Sequence, residues 1–388
     1  MVHLSILWSV TTLKSMKYGK LEDVTDALTM LIIYTYSSFA SVYWIFNSKE
    51  LFKFFMEVNK NYKHHSLIGL TYVSSVQSYK AARKMTKYWQ LIGSISVIFW
   101  SLSPLILQQR VLPIQCWYPF ETEGAFVYET LYFIQFLAQL AMCGAYTNGA
   151  AVYVSTIVIM LGQYDVLYCS LKNVQAHSEL LAFQNAKSVR EKQKRISIDE
   201  DELNQYIICK EEKVDINDFT QESNTIFKGD LKAALKYSMK CHHQFILRSC
   251  AKLEKLFNPY CLIKSLQITL QLCLLVFIAV VGDRSIVRSI NVIGYVALTS
   301  IELFMFTYYG ELLCLHSVRA GEALLRSPWH KNTILIKKEI LIFLINSRKP
   351  VQLTAGKFFV MNVERLRSVV AQAFSFLTLL QKIAAKKP

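Results

Sequence analysis

The stretch "CLIKSLQITLQLCLLVFIAVVG", Cys261–Gly282, is an almost unbroken apolar run that is long enough to cross a lipid bilayer as a helix. A helix rises about 1.5 Å per residue, so about 20 apolar residues span a hydrocarbon core of about 30 Å. Five other stretches reach this length: Asp26–Phe46, Trp89–Gln109, Phe126–Leu161, Ser289–Leu315 and Phe358–Ala384. These six runs predict an all-α, polytopic membrane protein, in which the longest run continues as a helix beyond the bilayer.

The composition of the chain agrees with this class. Apolar residues make up 53% of the 388 residues and charged residues only 18%. The formal charge of +15 would suit a nucleic-acid partner, but the basic residues lie between the apolar runs, as they do in membrane proteins. We therefore expect a lipid bilayer, and no nucleic acid, as the surroundings of this chain.

The basic residues predict how the chain is oriented in the membrane. Residues 47–88, 162–260 and 316–357 contain 31 of the 43 Lys and Arg residues. The positive-inside rule places these three segments in the cytoplasm. One crossing follows the last of them, so the C-terminus is expected outside the cell. A G-protein-coupled receptor has the opposite orientation, with its C-terminus inside.

Several segments outside the spans have a character of their own. Asp230–Phe257 and Lys331–Ser347 have the spacing of amphipathic cytoplasmic helices, and residues 187–224 are predicted to be mostly disordered. Residues 1–13 are apolar but too short to span, and we interpret them as the end of a truncated first helix rather than as a signal peptide. The predicted regions are 1–20 (remnant of the first helix and outer loop), 21–160 (three spans, with an outer-loop lid at 110–125), 161–260 (cytoplasmic loop and helical extensions), 261–315 (two spans), 316–356 (cytoplasmic anchor helix) and 357–388 (last helix and tail).

The last apolar run carries a polar stripe. At about 100° per residue, Glu364, Ser375, Thr378 and Lys382 fall on one face of a helix. One interpretation is a helix that lines a water-filled path, where a glutamate would favour cations. The other is a polar face packed against neighbouring helices, with hydroxyl groups bonded to their own backbone. The spacing alone does not decide between them.

Aromatic residues are dense in the outward halves of the predicted spans. Apolar walls with a few hydroxyl groups suit a pocket for a small neutral organic molecule, but core packing and interfacial aromatic belts give the same pattern. The sequence has none of the P-loop, HExxH or GxSxG patterns. We therefore expect no enzyme activity, no metal site and no cofactor.

Four stretches resemble the insect olfactory receptor family. "LPIQCWYPFETEGAFVYETLYFIQ", with Trp117–Phe120 at its core, resembles the second outer loop of that family, and "HHQFILRSCAKLEKLF" resembles the helix that leads into its fifth span. "YYGELL" (Tyr308–Leu313) resembles the end of the sixth span. Ser327–Ile383 resembles the C-terminal signature, through Trp329, an Arg-Lys-Pro before Leu-Thr-Ala-Gly, and a Ser-Phe-x-Thr-Leu-Leu end.

This resemblance implies a seven-helix subunit of an odorant-gated, nonselective cation channel, with its N-terminus in the cytoplasm. The partner would be a shared co-receptor subunit in a heterotetramer, in the plasma membrane of olfactory sensory neurons, and the ligand a small volatile organic molecule. This chain resembles an odorant-tuning subunit rather than the co-receptor. A gustatory receptor channel of the same superfamily and, further off, a G-protein-coupled receptor are the alternatives.

The resemblance also assigns roles to residues. It places Thr378 and Lys382 at the level of the gate, with Gln381 beside them and Ser375 on the same face. A lysine in every subunit would oppose cation flow, so Lys382 favours a heteromer with few copies of this chain. The odorant pocket implied by the resemblance is lined by Ile33, Tyr34, Trp100, Met142, Tyr146, Phe304 and Thr307.

Overall fold

The fold is almost entirely helical. The computed structural model describes residues 2–19, 21–61, 65–68, 71–106, 111–114, 116–122, 124–172, 206, 208–209, 211–213, 235–281, 286–327 and 337–386. The helices of these ranges are α1 (Val2–Tyr18), α2 (Leu21–Asn61), α3 (Val76–Ile106), α4 (Ala125–Lys172), α5 (His243–Val281), α6 (Ile286–Arg326), α7 (Lys337–Ser347) and α8 (Val363–Lys386).

Four of the described helices are long and apolar enough to cross a membrane, and they belong to α2, α4, α5 and α6. These helices have 41, 48, 39 and 41 residues, so each is about 60–70 Å long and about twice as long as a hydrocarbon core. Each therefore continues well beyond the bilayer. A π-helical turn, Tyr237–His242, leads directly into α5, within the stretch predicted as a helical extension.

The start of the last helix differs from the sequence prediction. The apolar run begins at Phe358, but α8 begins only at Val363. Phe359–Val360 instead form strand β5, which pairs with strand β4, Thr354–Ala355. Gly356 turns the chain between these strands with φ of 61°, a left-handed conformation that glycine adopts at no steric cost. Backbone pairing therefore overrides the apolar pattern at this end.

Three short strands form a small sheet in a part of the chain where the sequence analysis predicted no strands. Strands β1 (His65–Ile68) and β2 (Thr71–Ser74) form an antiparallel hairpin, and strand β3 (Glu211–Lys213) pairs with β2. Strand β3 lies inside the stretch 187–224 that was predicted to be mostly disordered, and most of that stretch lies outside the described residues. Asp165 on α4 accepts hydrogen bonds from the backbone N–H groups of Ile208 and Cys209, at 3.0 and 3.1 Å. These bonds hold the chain beside the edge of β2.

The main core lies where α2, α4, α5 and α6 meet. Tyr153 on α4 and Phe306 on α6 stack with ring centroids 4.4 Å apart, and Phe257 on α5 meets Tyr153 edge-on at 5.2 Å. All three side chains are buried. Aromatic pairs of this kind add to the stabilisation from burial, so they fix how these four helices pack.

The contact between α6 and the start of α8 makes a stability prediction. A Cβ atom on Gly310 would lie 2.0 Å from the backbone oxygen of Met361, which cannot rotate away. We expect Gly310→Ala to lower the free energy of unfolding by about 1–3 kcal/mol, as overpacking does. Gly294→Ala, on the same helix, is the matched control, because a Cβ there meets nothing within 4 Å. Thermal unfolding of both purified variants tests this, and equal stabilities would contradict it.

Candidate functional site

An aromatic cluster joins four helices at the side of the bundle that the sequence predicts to face outward. Tyr34 on α2 and Met142 on α4 belong to one apolar cluster, which also contains residues of α1. Trp100 on α3 lies edge-on to Tyr295 on α6, with ring centroids 5.4 Å apart. The Tyr34 hydroxyl lies close enough to the Tyr295 side chain for the two to interact electrostatically. We call Tyr34, Trp100, Met142 and Tyr295 the outer cluster.

Residues 111–114 and 116–122 pack over the outer cluster. Gln135 on α4 makes two hydrogen bonds to the backbone of Ile114. Its Oε1 accepts from the Ile114 N–H at 2.9 Å, and its Nε2 donates to the Ile114 carbonyl at 3.0 Å. The Trp100 indole donates to the Pro113 carbonyl at 3.3 Å. The Trp117 N–H donates to the Thr11 hydroxyl of α1 at 2.9 Å. The predicted lid is therefore held by α1, α3 and α4.

The groups that the lid contributes stay neutral near pH 7. Burial raises the pKa of the Tyr118 hydroxyl to about 12, and this hydroxyl accepts a hydrogen bond from Gln135 at 3.1 Å. Burial also raises the pKa of the Cys116 thiol. A region enclosed by neutral aromatic and thiol groups suits an uncharged organic ligand.

A buried ion pair lies deeper in the bundle, between α5 and α6. Lys264 Nζ on α5 is 2.8 Å from Glu302 Oε2 on α6, and both residues have 0% relative exposure. The ammonium also lies over two aromatic faces, 3.6 Å from the ring centroid of Tyr146 and 4.2 Å from that of Tyr36. Such cation–π contacts strengthen when water is excluded. Charges inside a membrane span are costly, so this arrangement is a candidate functional position.

Hydrogen bonds extend the ion pair into a polar layer. Gln267 Nε2 donates to the Tyr146 hydroxyl at 3.3 Å and to Gln271, and Gln271 Nε2 donates to the Thr299 hydroxyl at 3.0 Å. Tyr146 follows Met142 by one helical turn on α4, so the layer lies directly beneath the outer cluster. We call Lys264, Glu302, Tyr36, Tyr146 and Gln267 the polar floor.

The remaining predicted pocket residues lie elsewhere. Ile33 is buried on α2, and Thr307 is buried on α6, where its hydroxyl donates to the backbone carbonyl of Leu303 at 2.9 Å. Phe304 is 48% exposed and stacks on Tyr308 of its own helix, at 5.1 Å. It therefore faces away from the outer cluster and the polar floor. The structure brings Tyr34, Trp100, Met142 and Tyr146 together, but not Phe304.

One face of α8 packs on the helix bundle. Val369 and Ala373 are buried against Ile268 and Leu272 of α5 and against Leu303 of α6. Arg365 is buried on the same side. The spacing of four residues along α8 is the periodicity of a helix that buries a single narrow stripe.

The opposite face of α8 carries the predicted gate residues. At about 100° per residue, Thr378 and Lys382 lie about 140–180° around the helix from Ala373. Glu364, Ser375, Thr378 and Lys382 are all exposed, whereas Gln381 is half-buried. The Thr378 hydroxyl donates to the backbone carbonyl of Ser375 at 2.8 Å. The polar stripe is thus not used for packing within the described part of this chain.

Arg365 connects α8 to α5. Its guanidinium donates to the Ser265 hydroxyl through Nε and Nη2, at 3.3 and 3.1 Å, and lies 4.0 Å from the ring centroid of Phe359. Ser265 follows Lys264 in the sequence. Helix α5 therefore presents Lys264, Gln267 and Gln271 to the polar layer, and Ser265, Ile268 and Leu272 to α8.

Sequence reasoning missed Tyr295, Gln267 and the Lys264–Glu302 pair. The pair had a recognisable signal, because Lys264 is the one charged residue of the apolar run Cys261–Gly282 and Glu302 lies in the middle of the next run, Ser289–Leu315. The aromatic and amide residues had none, since the pattern of one helix does not reveal which neighbour its side chains meet.

The fold and the site together define a polytopic helical membrane protein with a closed aromatic interior next to an amphipathic last helix. A sequence model of the family described as "7tm Odorant receptor" matches residues 20–374. The protein named "Putative odorant receptor 85e", of Drosophila melanogaster, is 45% identical over all of this chain and 83% of that protein. Odorant receptor 83a of the same species is 31% identical over all of this chain and 86% of that protein. The chain belongs to the odorant receptor family.

More distant comparisons agree. The structure of the insect olfactory receptor OR5 from Machilis hrabei in complex with eugenol matches with a TM-score of 0.73 and 13% identity, over 98% of this chain and 86% of that one. At that identity the likeness shows the fold alone. The odorant receptor coreceptor of Anopheles gambiae is 24% identical over 39% of this chain and 32% of that protein. The similarity detected to this co-receptor covers a limited stretch of both chains.

Proposed function

We propose that this odorant receptor is the odorant-binding subunit of a ligand-gated, nonselective cation channel, which it forms with a co-receptor subunit in a heterotetramer. The cell would be an olfactory sensory neuron and the membrane its plasma membrane. Family membership favours this function over the gustatory receptor and the G-protein-coupled receptor that the sequence left open.

One observation carries the channel proposal: the polar stripe of α8 lies opposite its packed face. A helix that buries Val369 and Ala373 against α5 and α6 leaves Ser375, Thr378 and Lys382 free to face an axis shared with other subunits. Exposed polar groups on a membrane-spanning helix are costly toward lipid and stable toward water. A central pore supplies that water.

A route from ligand to pore follows from α5. One face of α5 forms the polar floor beneath the outer cluster, and its other face holds α8 through Ser265 and Arg365. A ligand in the outer cluster can drive gating only through its preference for the open arrangement. We propose that this preference acts on the position of α5, which then displaces the outer part of α8.

Recording with a partner subunit tests the function. The chain is co-expressed with an insect co-receptor and exposed to a panel of small volatile molecules under voltage clamp. We expect a cation current that requires both subunits. A second-messenger response without any current would contradict the channel proposal, and equal currents without this chain would contradict its role as the binding subunit.

The orientation of the chain is a separate prediction. The basic segments 47–88 and 316–357 place the C-terminus outside. An epitope added after Pro388 should therefore be labelled by antibody on intact cells, while an epitope in the basic loop at Lys349 is labelled only after permeabilisation. Labelling of both only after permeabilisation would overturn the proposed topology.

The charge of Lys382 gives a conductance prediction. If this lysine lies at the mouth of a cation pore, Lys382→Glu removes a repulsive charge and adds an attractive one, so we expect the single-channel cation conductance to rise by about twofold at low ionic strength, where screening is weak. Lys349→Glu, an exposed charge in the basic segment before α8 that is predicted to be cytoplasmic, is the control. An unchanged conductance in Lys382→Glu would place this side chain outside the permeation path.

A further inference from the structure

We infer that the polar floor selects ligands that carry a hydroxyl group, alcohols and phenols in preference to the matched ethers. This inference rests on the proposed odorant-binding function and adds the chemical class of the ligand. It follows from the hydrogen-bonding capacity left in the floor among the described residues.

The floor contains unsatisfied acceptors: besides Gln267 Oε1, Glu302 Oε1 is buried without a hydrogen-bond partner among the described residues. Gln267 is 4% exposed, and both bonds assigned to its side chain are donated by Nε2, to Tyr146 and to Gln271. Among the described residues, Gln267 Oε1 accepts no hydrogen bond although it is buried. A buried acceptor without a donor costs about 1–3 kcal/mol, so a ligand that supplies a donor removes this cost.

The charge of the floor decides which donor fits. Lys264 already fills the space over the Tyr36 and Tyr146 rings, and Glu302 already neutralises it. A cationic amine would meet the lysine charge and would also lose its hydration. A neutral hydroxyl group donates to Gln267 without charge repulsion and loses less hydration free energy than an ammonium group does. An ether of the same shape offers only a further acceptor.

Access to the floor comes from the outer cluster. Tyr146 retains some exposure and is hydrogen-bonded to Gln267, and Met142, one turn toward the outer side, belongs to the outer cluster. A ligand with its apolar body among Tyr34, Trp100 and Met142 therefore directs its polar end toward Tyr146 and Gln267. The apolar body gains burial, and the hydroxyl group meets the acceptor.

Binding to the purified full-length chain tests the inference independently of channel activity. The probes are pairs of an alcohol or phenol and an ether with equal numbers of heavy atoms. One pair is 1-hexanol and 1-methoxypentane, and the other is 4-ethylphenol and 4-methylanisole. Ligand affinity is measured from the concentration dependence of thermal stabilisation in nanodiscs. One hydrogen bond of ordinary strength corresponds to about a fivefold preference for the alcohol or phenol over its ether.

Gln267→Met keeps the volume of the side chain and removes the acceptor, so we expect the preference to vanish while the ether affinity stays within twofold of wild type. Thr269→Val is the control, because this buried α5 hydroxyl donates to the Ser265 carbonyl of its own helix. Equal affinities for alcohol and ether in wild type, a preference unchanged in Gln267→Met, or no stabilisation by either member of a pair would each overturn the inference. If Gln267→Met does not fold, the wild-type comparison alone decides. Odorant-evoked current is recorded separately, so a failure of the channel proposal remains distinguishable.

Discussion

Replacing Glu302 by glutamine alone is expected to lower the free energy of unfolding by about 3–5 kcal/mol, the largest effect that we predict for a single substitution. The substitution leaves the ammonium of Lys264 at 0% exposure without a counter-ion. Burial of an unpaired charge is far more costly than burial of a satisfied pair. Thermal unfolding of the purified protein and its abundance at the cell surface measure the loss.

A double variant distinguishes the contribution of the two charges to stability from that of side-chain packing. Lys264→Met combined with Glu302→Met removes both charges, and replacement of a buried pair by apolar residues is often neutral or stabilising. We expect the free energy of unfolding of the double variant to lie within about 1–2 kcal/mol of the wild-type value. The exposed pair of Lys252 and Glu57 is the control, because Lys252→Met should cost less than about 1 kcal/mol. A double variant less stable than Glu302→Gln would contradict the account.

The second large effect is expected at Arg365. Arg365→Gln shortens the side chain and removes the charge-assisted hydrogen bonds to Ser265, together with the contact on the Phe359 ring. Bonds of this kind contribute about 1.5–3 kcal/mol. If they transmit the ligand-dependent position of α5 to α8, the odorant concentration for half-maximal current rises by about tenfold or more.

Arg367→Gln is the matched control, because Arg367 is exposed two residues further along α8. We expect it to leave the half-maximal concentration within twofold of wild type. Ligand affinity is measured in parallel by thermal stabilisation, so that a loss of coupling is distinguished from a loss of binding. Equal shifts in Arg365→Gln and Arg367→Gln, or a loss of affinity as large as the loss of current sensitivity, would contradict this role.

Much of the fold could be predicted from the sequence, because lipid requires a continuous helix wherever an apolar run spans the bilayer. The run at Phe126–Leu161 lies within α4, and Cys261–Val281, the described part of the next run, lies within α5 for this reason. The prediction was wrong at Phe358, where a hairpin around Gly356 takes residues that are equally apolar. Strand Glu211–Lys213 was also not predicted, because the partner strand β2 lies more than a hundred residues away in the sequence.

The site was harder to predict than the fold. Lipid-facing and interior side chains are both apolar in a membrane helix, so periodicity did not separate the exposed Phe304 from the interior Tyr295. The exposed face of the last helix was easier to predict, because its polar residues lie on one face and its apolar residues on the other. The structure then places that polar stripe opposite the buried Ala373.

The central claim is that this chain contributes α8 to an odorant-gated pore, and cysteine accessibility tests it most directly. Thr378→Cys and Ala373→Cys are each co-expressed with a co-receptor, and a charged thiol reagent is applied from outside during odorant-evoked current in excised patches. We predict that the reagent changes the current irreversibly in Thr378→Cys and leaves Ala373→Cys at the wild-type response, because Ala373 is buried against α5. An unchanged current in Thr378→Cys, or the same change in both variants, would contradict the claim.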